Sequence, residues 1–157
     1  MNWKSVAAGV SSAFLVFTLS SLQIADAAPP TDACALVTPA QVSAALGVTV
    51  GAGEHVVPSS TTLCGFGSDT AKKRVVTAII KVTMFTNEKT PFKGITKESA
   101  SGIGDEAHYI TTPGFGTGLS VRKGNFAFKV RVYGFPLDQI KAKETALALN
   151  ALANAKL

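Results

Sequence analysis

The sequence predicts an α+β domain: an antiparallel sheet of four to five strands, with an N-terminal short helix and a C-terminal helix packed on one face, and one disulfide. Three observations carry this. A proline-led, capped apolar helix opens the fold, β-branched and alternating runs separated by short turns follow, and an Ala- and Leu-rich helical stretch ends the chain. Strands joined at hairpin length pair antiparallel, and two amphipathic helices cover one face of such a sheet.

Residues 1–27, MNWKSVAAGVSSAFLVFTLSSLQIADA, precede that fold. Lys4 near the start, an apolar run and Ala25-Asp26-Ala27 have the layout of a secretory signal peptide with an A-x-A cleavage site. The competing reading is a retained membrane anchor; serines, a threonine and a glycine dilute the run and favour cleavage. Residues 28–157 then form a single secreted domain, expected in the periplasm, cell envelope or extracellular space. The leader holds one lysine and one aspartate, so its loss leaves the formal charge of +5. Export also sets the redox chemistry. The chain has two cysteines, Cys34 and Cys64, which in an oxidising compartment read as a disulfide. Closing a loop of about 30 residues is worth about 3–4 kcal/mol through loss of chain entropy in the unfolded state. A redox pair or a pair of metal thiolates would need closer spacing or more ligands than the sequence offers.

Along 33–47, ACALVTPAQVSAALG, Thr38 is the expected N-cap, Pro39 the first helical residue and Gln41 the other half of a capping box. Val42, Ala45 and Leu46 form the apolar stripe, and Gly47 supplies the left-handed residue that ends the helix. A loop then leads to a strand over Leu63–Phe66. The β-branched run 75–85, VVTAIIKVTMF, reads as one long strand, with Val76, Ala78, Ile80, Val82 and Met84 on its apolar face. Val75, Thr77, Ile79, Lys81, Thr83 and Phe85 form a mixed face expected to meet solvent in part. The polar, turn-rich stretch 86–104 is expected to be mobile. Glu106 to Thr112 is the next strand, and 119–133 reads as a hairpin turning at Lys123-Gly124-Asn125. Its inner face carries Leu119, Val121, Phe126, Phe128, Val130 and Val132. Pro136 and Asp138 start the last helix, with Leu137, Ile140, Leu147, Ala151 and Ala155 as an inward stripe.

The stretch 101–110, SGIGDEAHYI, contains D-E-A-H, but an ATPase needs a phosphate-binding P-loop and the sequence has none. Glu106 and His108 point to one side of a strand, so zinc would need a further ligand such as His55. Gly102, Gly104 and Asp105 are expected instead to build a structural turn, with Asp105 as its cap. No G-x-S-x-G elbow is present, and no dinucleotide fingerprint follows Gly114-Phe115-Gly116. The most distinctive surface is a basic stripe of Lys81, Arg122, Lys129 and Arg131 beside Tyr133. Such a stripe either keeps a sheet face wet or meets an anionic partner. Nucleic acid is disfavoured, because the aromatics that would stack on bases lie on the inner face.

Two segments together resemble a family. DACALVTPAQVSAALG resembles the C-x-L-[LV]-T-x-A-x-V-x-x-A-L-G signature of secreted bacterial domains of unknown function, many of them actinobacterial exported proteins or lipoproteins. GIGDEAHY, with LSVRKGNFAFKVRV after it, resembles their G-[LI]-G-D-E-A element and hairpin. The segments 51–62 and 86–99 match least. The resemblance implies a PsbP-like fold, a sheet with helices packed on it, and a downstream partner for the cysteine of ACAL, which Cys64 matches. It designates no catalytic residue. The chain departs from the lipoprotein members in lacking an acylated cysteine after the leader.

The expectation is therefore a non-catalytic exported binding module, with no cofactor and no metal. Its expected partner is an envelope protein or anionic surface component, and after cleavage it is not an integral membrane protein. The alternatives are an envelope inhibitor or immunity-type protein and, third, a small metal-binding protein or hydrolase.

Overall fold

The computed structural model describes residues 28–68 and 71–157; the expected leader lies outside them. The architecture is α+β, with a seven-stranded antiparallel sheet, more strands than the four to five expected. The strands are β1 (Glu54–His55), β2 (Leu63–Ser68), β3 (Lys73–Ile80), β4 (Thr96–Ala100), β5 (Glu106–Thr112), β6 (Gly116–Lys123) and β7 (Phe126–Tyr133). Their order is β1-β2-β3-β7-β6-β5-β4, so every neighbouring pair except β3–β7 is consecutive in the chain. The two extra strands, β1 and β4, are the edges. Both are short and polar, which is how edges avoid pairing with other chains and also why their sequences read as loop.

Helix α1 (Pro39–Leu46) has the expected capping box: the Gln41 amide donates to the Thr38 hydroxyl at 3.2 Å, and the Thr38 amide donates to the Gln41 side chain at 2.8 Å. Gly47 follows with φ +67°. Helix α3 (Leu137–Asn154) packs beside α1 and across β6 and β7, and the Asn154 amide bonds the Leu36 carbonyl at 3.0 Å. Beneath them lie Phe66, Val75, Leu119, Val121, Phe128 and Val130, met by Leu147 of α3, all buried. One expectation fails in α3. Leu137 is half exposed, whereas Glu144 stands fully buried in the inward stripe.

The disulfide joins Cys34 to Cys64, tying a 3-10 turn (Ala33–Ala35) to β2. The long strand expected over 75–85 ends at Ile80, whose partner Ala127 is almost the first residue of β7. Without a strand to pair with, the chain folds back as helix α2 (Val82–Asn87) over the opposite face, burying Phe85. The two faces of β3 are also exchanged. Val75 and Thr77 face the core, and Val76 and Ala78 lie half-buried on the other side. Thr77 tolerates burial because its hydroxyl donates to the Ala33 carbonyl at 2.8 Å.

Candidate binding site on the open sheet face

Helices α1 and α3 take one face of the sheet. On the other, α2 covers part of β6 and β7 and leaves β1, β2, β3 and the far half of β7 bare. A groove of about 560 Å³ runs there, lined by Val56, Leu63, Val76, Ala78 and the polar heads of Arg74, Lys129, Arg131 and Tyr133. The register of β3 against β7 builds it: Arg74 pairs with Tyr133, Val76 with Arg131 and Ala78 with Lys129. Period-two alternation thus sets a basic and aromatic row beside an apolar floor.

Two glycines shape the walls. A Cβ at Gly118 on β6 would come within 2.8 Å of the Arg131 Cγ and Nε, so the arginine lies flat across bare backbone. A Cβ at Gly65 on β2 would come within 3.0 Å of the Arg74 guanidinium. The two arginines lean to opposite sides, leaving Val76 and Ala78 uncovered between them.

Charge is matched unevenly along the expected stripe. Lys129 is ion-paired with Glu88, just beyond α2. Arg122 lies 3.6 Å from Glu106 and 4.0 Å from Asp105. Lys81 is exposed at the start of α2 and does not line the groove. Among the described residues, Arg74 and Arg131 have no ion-pair partner. The stripe is therefore two surfaces: a neutralised patch at Arg122, and a groove where Arg131, Tyr133 and partly Lys129 join Arg74. Sequence reading passed over Arg74 because it closes the run Lys72-Lys73-Arg74, which looks like a solvated loop end; its place on the Val76 and Ala78 face was the available signal.

Beside the groove, Glu88 is the centre of a polar cluster. The Ser120 hydroxyl donates to it at 2.8 Å, and His108 Nε2 lies 3.5 Å away. Burial raises the Glu88 carboxyl, but the neighbouring His108 ring and the contacts from Lys129 and Ser120 outweigh it and hold the group below its ordinary value. Serine, histidine and glutamate are triad residue types, but a nucleophilic serine gives its proton to the imidazole. Here Ser120 gives it to the carboxylate, buried beneath α2, while His108 packs on Phe85 with ring centroids 4.7 Å apart. The cluster pins α2 to the sheet. A zinc site from Glu106, His108 and His55 does not assemble, since β5 and β1 have four strands between them.

Gly102 and Gly104 adopt φ +76° and +61° in the turn before β5. Asp105 does not cap that turn with its side chain. Its carboxylate accepts from the Gly124 amide at 2.7 Å and Lys123 Nζ at 2.9 Å, and its own amide donates to the Arg122 carbonyl. It fastens the β6–β7 turn next door. The Gly124 amide, then Lys123, hold its carboxyl below the ordinary range.

No family model, curated protein or solved structure matches this chain.

Proposed function

We propose that the chain is an exported, non-catalytic binding module, of the kind its C-x-L-V-T and G-I-G-D-E-A motifs resemble, and that its open sheet face takes the anionic, partly apolar group of an envelope component. The observation that carries this reading is the pair Arg74 and Arg131, neither in an ion pair among the described residues, on either side of the apolar Val76–Ala78 floor. Unmatched cations beside apolar surface favour a ligand with a negative head and a greasy body. Two further features support it. The Cys34–Cys64 disulfide is compatible with an oxidising compartment, and no helix among the described residues is long and apolar enough to cross a membrane.

The test is a fluorescence titration with anilinonaphthalene sulfonate, an aromatic anion, against its uncharged analogue phenylnaphthylamine. A charge-assisted hydrogen bond is worth about 1.5–3 kcal/mol, so Arg131→Gln and Arg74→Gln should each weaken sulfonate binding about tenfold or more. Lys81→Gln, outside the groove, should leave it unchanged. Equal affinity for the two probes, or indifference to both arginine substitutions, would overturn the proposal.

A further inference from the structure

The disulfide has two unused neighbours. Asp32 caps the 3-10 turn, its Oδ1 accepting the Cys34 amide at 2.8 Å. The same oxygen lies 3.0 Å from His55 Nε2. His55 reaches this place because β1 pairs with β2 in a register that sets it opposite Cys64. As a result one carboxylate oxygen of Asp32, Sγ of Cys34 and a ring nitrogen of His55 all lie within 4.8 Å of one another. The Cys64 sulfur is covalently attached to that group, with the two cysteine Cα atoms 5.1 Å apart.

We propose that Asp32, Cys34, His55 and Cys64 form a zinc site that is closed while the disulfide is intact and opens when a dithiol reduces it. Two thiolates, an imidazole and a carboxylate are a normal tetrahedral donor set for zinc. With Zn–S bonds of about 2.3 Å, tetrahedral geometry places two thiolates about 3.8 Å apart, within reach of side chains on Cα atoms this close. The sequence alone does not assemble this ligand set: Asp32 stands beside Cys34 in the 3-10 turn, but His55 joins the cysteines only through the β1–β2 pairing.

Access favours the same reading. The Asp32 and His55 side chains are 42% and 31% exposed, which gives an ion a route in, while Cys64 is fully buried. On another side the backbone just before β1 closes the site: a Cβ at Gly53 would fall within 2.7 Å of Cys64 Sγ. In the oxidised protein neither sulfur is a thiolate, so only Asp32 and His55 remain, and they are bonded to each other. The chemistry balances. The dithiol gives two electrons and two protons, the Cys34–Cys64 bond breaks to two thiols, and the dithiol leaves as a cyclic disulfide. Zinc then displaces the two thiol protons without changing its own oxidation state. Metal and disulfide are alternative closures of one loop.

The experiment uses the chain reduced with dithiothreitol, desalted without oxygen, and titrated with Co²⁺ and then Zn²⁺. Reduced protein should bind one Co²⁺ with a thiolate-to-metal charge-transfer band and tetrahedral visible bands, which Zn²⁺ bleaches at one equivalent. Oxidised protein should show neither. His55→Ala should weaken Co²⁺ binding by at least tenfold and alter the visible bands. Thermal unfolding of the reduced chain guards against loss of fold, with zinc expected to raise its midpoint above that in chelator. Absence of the charge-transfer band, equal binding by both redox forms, an unchanged His55→Ala spectrum, or a reduced chain left unfolded by zinc would each overturn the site.

Discussion

Replacing Glu144 by Gln should make the protein more stable at neutral and alkaline pH and remove a large part of its pH dependence. Glu144 is fully buried on the inward face of α3. Strand β6 pairs with β7 only as far as Leu119 opposite Val130, and Glu144 Oε1 accepts the next such amide, that of Val132, at 3.0 Å. Its second oxygen is buried without a hydrogen-bond partner among the described residues. Burial raises its carboxyl to about 8 from an ordinary 4.5, against the Val132 amide and the charges of Arg131 and Lys141, which lower it. The folded state thus keeps a proton that the unfolded state releases. With the folded value raised, the stabilisation is fully present below about pH 4.5 and is lost as pH rises toward about 8, at about 1.4 kcal/mol per pH unit. By pH 7 the loss is about 3 kcal/mol, a large share of a typical domain's stability. Glutamine keeps an oxygen for Val132 and never ionises. Urea unfolding of both proteins at pH 5, 6, 7 and 8 should give curves that nearly meet at pH 5 and diverge by several kcal/mol at pH 8. Parallel pH profiles would refute the reasoning, since they would mean that Glu144 titrates alike in the folded and unfolded states.

Two further outcomes follow from the turns and the groove. Asp105→Ala should lower the unfolding midpoint at pH 7 by releasing the Gly124 amide and Lys123. Because the folded carboxyl sits below its ordinary value, this contribution is present above the ordinary carboxylate range and is lost as pH falls below it, so wild type and variant should draw together on acidification in thermal scans. Divergence on acidification would count against the tie. Gly104→Ala and Gly118→Ala should separate fold from site. The first drives a Cβ within 2.5 Å of the Arg122 carbonyl at φ +61° and should cost about 2 kcal/mol or more by urea denaturation. The second meets only the movable Arg131 side chain, so the fold should persist while sulfonate-probe binding weakens; the reverse pattern would show that Arg131 does not shape the groove.

What was legible in the sequence was local. The capping box of Thr38 and Gln41 and the Lys123–Asn125 hairpin turn are written in neighbouring residues, and both stand as read. The disulfide needed only an even cysteine count and an inferred compartment. The misreadings all depended on distant partners. Propensity carried the β3 strand through to Phe85, but it could not show that β7 starts too late to pair beyond Ile80. Both faces of 75–80 hold aliphatics, and the choice between them turned on Thr77 finding the carbonyl of Ala33. Glu144 in a core stripe contradicts any hydrophobic pattern, because its reason is a ladder gap on another element. For the groove on the open face, Arg131, Lys129 and Tyr133 were visible as a stripe, whereas Arg74 and the neutralisation of Arg122 required the sheet order.

The strand order also has a consequence in time. One meander, β1-β2-β3, and another, β4-β5-β6-β7, are each built from consecutive hairpins, and only β3–β7 crosses between them. Hairpins form in microseconds, while the seam must wait for a long intervening chain to close, so docking of the two halves is the expected slow step in folding. Cys34 and Cys64 both lie on the N-terminal side of that seam. In an oxidising compartment their bond needs no residue of the second meander, so it can form while the seam is still open. A central pairing that comes last leaves the bare flanks of β3 and β7 as the surfaces at greatest risk of joining another molecule, and an early covalent closure holds the first half in a shape ready to accept the second.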